Sequence, residues 1–278
     1  MAVQDWDDAF ANMAHVEDSH LLPEFWADRA RTYRAGLEPE RITADIPYGT
    51  QERQKFDIIW PDETPKGLAV FVHGGYWMRL EKANWSDLAE GARKHGWAVC
   101  IPSYTLTPQA RICEITQEVG AAITLAADHV MGPIRLAGHS AGGHLVTRML
   151  CEDSPLPDTV RSRIDLTLSI SGLHDLRPLL HTAMNDTLHL DMDEATLESA
   201  VLHRPFGRSP LIAWIGGNER PEFIRQSRLM STIWAGLDVP TRCHIDGTHN
   251  HFTILDPLKL PDTPLTQAFV GSHTGDAA

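Results

Sequence analysis

The chain has 278 residues, 42% of them apolar, which is enough for one large core. Against 37 Asp and Glu it sets only 24 Lys and Arg, a formal charge of −13, which excludes the basic footprint of a nucleic-acid binder and argues against docking on anionic lipid. No apolar run approaches the ~18 residues of a membrane span, and the first ten residues carry three Asp, no cation and no apolar signal core.

Cys100, Cys113, Cys151 and Cys243 stand apart with no Cys-x-x-Cys, so the expectation is a reduced cytoplasmic protein with no disulfide framework. Residues 1–40 read as a helical arm. In it Leu22, Phe25, Trp26, Arg29 and Tyr33 recur at helical spacing, with Gly36 as the stop. Residues 42–48 and 54–60 alternate like the two strands of a hairpin. Strands and helices then take turns: strand 67–72, helix 84–95, strand 97–101, helix 111–131, strand 133–137 and helix 141–151. Strands 164–170 and 211–215 follow, then helix 221–237 and a last strand at 241–245.

Repeated βα units predict an α/β fold: a mostly parallel central sheet with helices on both faces. Residues 175–204 interrupt the alternation and read as a small inserted cap, and residues 271–278 as a frayed tail. The expectation is a single domain over residues 1–270. Its arm and cap should lean over the C-terminal edge of the sheet, where doubly wound folds bind ligands.

Strand 133–137 runs straight into Gly138-His139-Ser140-Ala141-Gly142-Gly143, and a helix follows. That is Gly-x-Ser-x-Gly in the strand–turn–helix setting of a nucleophile elbow. The bland alternative is an ordinary glycine-rich βα turn. An elbow needs glycine at 138 and 142 because the turn leaves no room there for Cβ atoms. It lifts Ser140 above the sheet edge and turns the Ala141 amide toward an attacked carbonyl. Strand 67–72 ends in His73-Gly74-Gly75-Tyr76-Trp77, a loop suited to the rest of an oxyanion hole. Gly75 and Tyr76 would donate their amides and Gly74 would permit the bend, with His73 as a loop anchor and Trp77 as pocket wall or core.

These two motifs together resemble the kynurenine formamidase (arylformamidase) group of α/β-hydrolases, which relate more distantly to hormone-sensitive-lipase-like esterases. Phe56-Asp57-Ile58, Tyr104-x-Leu106-x-Pro108 and Ser171-Gly172 with Asp175-Leu176 and Pro178-Leu179 extend the resemblance over residues 45–258. In this fold the triad runs Ser, acid, His. The acid should follow strand 211–215, which selects Glu219. Glu222, already inside the next helix, is the alternative. The resemblance supports Glu219, because the family's acid precedes a similar Pro-Glu-Phe segment, although many members carry Asp. The base should lie after the last strand, where His244, His249 and His251 compete. The family's His-Phe pair selects His251, followed by Phe252.

A metal set of His244, His249 and His251 beside Asp246 is the rival chemistry. Gly247-Thr248-His249 even matches a fragment of an unrelated metal-dependent class of kynurenine formamidases, but the remaining spacing of that class is absent. The expectation is therefore no metal and no cofactor. His144 and His174 are further pocket candidates. The resemblance implies a metal-independent serine hydrolase acting through an acyl-enzyme on an N-formyl aryl amide such as N-formylkynurenine, releasing formate. A carboxylesterase for small acyl or aryl esters is the alternative, and a non-catalytic small-molecule-binding protein is a remote third. The partner is a small-molecule substrate, not nucleic acid or membrane, and a homodimer is left open.

Overall fold

The computed structural model describes residue 3 and residues 5–271. The expected tail, apart from Gly271, lies outside the described residues. Eight strands form one sheet: β1 (Ile42–Pro47), β2 (Lys55–Ile59), β3 (Leu68–Val72), β4 (Ala98–Pro102), β5 (Ile134–His139), β6 (Ile164–Ile170), β7 (Leu211–Gly216) and β8 (Thr241–Asp246). Their order is β1-β2-β4-β3-β5-β6-β7-β8. The hairpin β1–β2 adds to β4 antiparallel, and β3 to β8 run parallel with β4. The helices are α1 (Trp6–Phe10), α2 (Leu22–Ala35), α3 (Ala89–Lys94), α4 (Ile112–His129), α5 (Ala141–Arg148), α6 (Asp158–Arg161), α7 (Asn185–Leu188), α8 (Met192–Leu197), α9 (Pro221–Ala235) and α10 (Pro264–Val270).

Each sheet face has its own core. Leu68, Val70 and Val72 of β3 pack with Ile115, Leu145 and Phe223 from α4, α5 and α9. Ala69 and Phe71 of the same strand pack with Trp85, Leu88 and Phe269 on the opposite face. A strand covered on both sides has no polar face, which is why β3 reads as an unbroken apolar run rather than an alternating one. Helix α4 buries Ile112, Ile115, Val119, Ala122, Ile123 and Ala126, one continuous stripe at helical spacing.

The parallel order reverses around β3. The chain leaves β3 for β4 on one side, then returns to place β5 on the other. The loops after β3 and β5 therefore meet at the C-terminal edge of the sheet, the crevice a doubly wound fold offers to a ligand.

Two elements differ from the sequence expectation. The helix expected over residues 84–95 is divided into 3-10 turns at Lys82–Asn84 and Ser86–Leu88, and only then α3. Trp85 breaks it at φ −131°, turning its ring onto Trp26 at 4.8 Å, while Asp87 pairs with Arg29 of α2. The arm also does more than lean. Its segment before α2 winds through α1 and two 3-10 turns and reaches the sheet edge, where Phe10 is buried against Phe223. No helix among the described residues is long and apolar enough to cross a membrane.

Candidate active site

Ser140 sits between β5 and α5 at φ 55° and ψ −117°, a conformation that costs a non-glycine residue strain. Its amide donates to the Ile170 carbonyl at 2.9 Å, which pins the turn to β6. A Cβ on Gly138 would lie 2.1 Å from the Gly142 carbonyl oxygen, and one on Gly142 would lie 2.0 Å from that of Val72. Both contacts are with backbone that cannot move aside, so glycine is required at both positions. Ala141 opens α5, and among the described residues no group accepts from its amide.

The loop after β3 backs onto this turn. A Cβ on Gly74 would meet Ser140 Cβ at 2.9 Å. Gly75, Tyr76 and Trp77 follow at φ 108°, 51° and 58°, three left-handed residues in succession. That path leaves the amides of Gly75 and Tyr76 without a partner among the described residues, beside Ser140. His73 anchors the loop: its Nδ1 contacts the Gly74 carbonyl at 2.8 Å and its ring stacks on Tyr104 at 4.4 Å. The Tyr76 hydroxyl donates to the Phe10 carbonyl at 2.6 Å, tying loop to arm.

Glu219 and His251 come together through the loops after β7 and β8. Gly217 and Asn218 amides donate across to Asp246 and His249 carbonyls at 2.5 and 3.1 Å. His251 Nδ1 lies 2.6 Å from Glu219 Oε2. A carboxylate only accepts here, so Nδ1 carries the proton and Nε2 is left as the acceptor. The other carboxylate oxygen accepts from the Gly216 amide at 2.8 Å and the Ser171 hydroxyl at 2.5 Å. Glu219 is thus buried yet fully partnered, as a buried carboxylate must be. His139 Nε2 donates to the His251 carbonyl at 2.8 Å and fixes the backbone of that loop. His251 and Ser140 line one cavity, although no hydrogen bond joins them.

The alternatives are engaged elsewhere. Glu222 pairs with Arg225 at 2.7 Å and accepts from Gln226. His249 Nδ1 lies 3.3 Å from the Thr253 hydroxyl, and the His244 ring lies tilted against Trp214 at 3.8 Å. Among the described residues no group of three His, Cys, Asp or Glu is arranged to hold a metal ion.

The cavity is about 420 Å³, walled by Phe10, Trp26, Tyr76, Trp85 and Phe252, with Asp7, Asn12 and Arg79 as polar groups. Three residues expected in the pocket do not line it. Trp77 is fully buried, edge-to-face with His144 at 5.2 Å, and His144 Nε2 donates to the Glu198 carbonyl at 2.8 Å. His174 is sealed beside Ser169, its Nε2 3.2 Å from that hydroxyl. His144 is buried within α5, its ring held between Trp77 and the Glu198 carbonyl rather than on the crevice. From residues 175–204 only Met184 reaches the cavity, and the arm supplies much of the wall. Sequence reading missed Phe10, Asn12, Met13 and Arg79, and also the Glu219 buttress Ser171, which had appeared only as part of a family match.

The sealed histidines make stability pH-dependent. Burial lowers His73 to about 4, and His144 and His174 to about 3. Unfolded, each takes up a proton near its ordinary value of about 6.5. Between those values the unfolded chain binds more protons, so this stability is whole above pH 6.5 and is lost as the pH falls toward 4. The unfolding free energy from urea titrations, and with it the urea midpoint, should drop as the pH falls from about 6.5 to 5, by on the order of 1 kcal/mol per histidine per pH unit. An unchanged midpoint would contradict their burial as neutral rings.

A family model for the alpha/beta hydrolase fold matches residues 69–207, half of the chain, from β3 through the elbow and beyond β6. The chain belongs to the alpha/beta hydrolase family. This hydrolase is similar to the kynurenine formamidases of Danio rerio (27% identical over 233 residues) and Salmo salar (29% over 238 residues), each comparison covering 80% of this chain and 79% of the relative. Among solved structures it matches a proposed thioesterase from Silicibacter sp. TM1040. The two are 43% identical with a TM-score of 0.90, over 96% of the hydrolase and 99% of that protein.

Proposed function

We propose that the hydrolase is a metal-independent serine hydrolase whose triad is Ser140, His251 and Glu219. Its substrate is then an N-formyl aryl amide of the N-formylkynurenine type, cleaved to the arylamine and formate. The observation that carries the reading is the Glu219-oriented His251 opening onto the same cavity as a strained, glycine-flanked Ser140. His251 Nε2 takes the Ser140 hydroxyl proton as Oγ attacks the formyl carbon. Negative charge gathers on the carbonyl oxygen, where the amides of Tyr76 and Ala141, with Gly75 beside them, receive it. The imidazolium, steadied by Glu219, passes its proton to the aniline nitrogen as the C–N bond breaks. Water, deprotonated by His251, then attacks the formyl-enzyme, releasing formate and restoring Ser140.

Aromatic walls and a modest volume suit an aryl leaving group, and the kynurenine formamidase relatives support the formamide. The 43% identity to a proposed thioesterase favours a second reading, in which the acyl bond is an ester or thioester cleaved by the same residues. The two separate on kcat/KM measured side by side for N-formylkynurenine, p-nitrophenyl esters of rising chain length and acyl thioesters. The formamide reading expects the first to exceed the others by at least tenfold; a preference for any ester or thioester would replace it.

A further inference from the structure

Arg220, which lies outside the cavity lining, is held by the Asp8 carboxylate and by the Asp8 carbonyl at 3.1 Å. Arg79 differs. It lines the cavity together with Ser140 and His251, and no ion pair engages it among the described residues. Its one side-chain contact is Nη1 on the Met13 sulfur at 3.6 Å, a weak acceptor for a guanidinium with five donors.

The position of Arg79 is built into the loop. Gly75 turns the chain at φ 108°, and the Met78 amide donates to the Gly75 carbonyl at 3.0 Å. The Arg79 carbonyl then packs so closely over Gly75 that a Cβ there would lie 2.4 Å from it. One turn of chain therefore carries both the unpartnered amides and the root of the unpaired cation, whose exposed side chain can swing over the cavity. Among the described residues Arg79 is the one Lys or Arg lining a mostly apolar chamber, and in such chambers a few polar groups orient the ligand. On a molecule of formal charge −13, this chamber is also the place where an anion would be drawn in.

Asp7 completes the pattern. It lines the same cavity, and one of its oxygens accepts from the Ala183 amide at 2.7 Å, while the other has no hydrogen-bond partner among the described residues. A bare carboxylate would meet this Asp as a like charge. A tail carrying an ammonium beside its carboxylate would meet both groups favourably. A formyl group fills little of a 420 Å³ chamber, so the charged tail belongs to the leaving group.

We propose that Arg79 is a specificity-determining residue that holds the carboxylate of an α-amino-acid tail on the aryl leaving group, with Asp7 facing its ammonium. The proposal rests on the serine-hydrolase reading above, but not on the formamide. The test uses two matched pairs, each with and without the tail: N-formylkynurenine against 2-formamidoacetophenone, and O-acetyltyrosine against p-cresyl acetate. For each pair the readout is the ratio of kcat/KM, tailed over untailed. Arg79→Gln should lower that ratio at least tenfold, mainly through KM, because a charge-assisted pair is lost. Arg79→Lys should restore part of it, retaining charge without the planar fork.

A ratio that stays within twofold in Arg79→Gln, or a loss shared equally by tailed and untailed substrates, would overturn the proposal. If the wild-type hydrolase ignores both formamides, the formamide reading fails by itself and the ester pair still decides the role of Arg79.

Discussion

Ser140→Ala is expected to lower kcat by on the order of 10⁶-fold. The hydroxyl oxygen is the atom that forms the bond to the substrate carbonyl, and no neighbouring side chain can take its place. The residues left behind, the free amides and the cavity walls, would retain a residual acceleration of roughly 10³–10⁴ over water, as binding and oxyanion stabilisation do elsewhere. The fold should persist, because Ser140 is already buried and the strain at φ 55° is borne by the glycines around it and by the bond to Ile170. Steady-state rates alongside a thermal melt check both parts. Activity within tenfold of wild type in a folded protein would place the nucleophile elsewhere.

His251→Ala should cost nearly as much, and the double variant with Ser140→Ala little more, because one proton transfer needs both groups. Glu219→Gln should lose about 10⁴-fold. Its amide keeps a partner for Nδ1 but carries no charge for the imidazolium, and a flipped amide would donate and so favour the wrong tautomer. Glu222→Gln and His249→Ala should fall well short of these losses, since Glu222 serves Arg225 and Gln226 and His249 lies against Thr253. A reversed order within either pair of variants, measured as kcat/KM, would move the triad by one loop position.

How much of this was legible in the sequence depended on how local the constraint was. The Gly138–Gly142 elbow could be read because its glycines answer contacts made within a few residues or with the adjacent strand end. The parallel sheet could be read because strands covered on both faces leave unbroken apolar runs such as Leu68–Val72. Choosing Glu219 and His251 needed chain order and family likeness, and the structure then brought their side chains together.

The cavity wall was another matter. Phe10 meets Phe223, and the Tyr76 hydroxyl meets the Phe10 carbonyl, contacts across 213 and 66 positions that no periodicity in residues 1–20 announces. Polar character misled in the opposite direction. His144 and His174 suggested a pocket, yet each is a neutral ring sealed inside the core and bonded there through Nε2 alone. The helix expected over residues 84–95 failed for a related reason: its periodicity is real, but Trp85 is recruited by Trp26 of the arm, a partner 59 positions earlier.

The central claim, that Ser140 is the covalent nucleophile activated by His251 without a metal, is tested most directly by intact-mass and peptide mapping after exposure to a fluorophosphonate in excess EDTA. The account predicts one adduct per chain, on the peptide containing Ser140, formed in step with loss of activity. It also predicts that Ser140→Ala takes up no label and that His251→Ala takes it up far more slowly. Unlabelled Ser140 in an inactivated enzyme, or activity that vanishes with EDTA alone and returns with added metal, would contradict it.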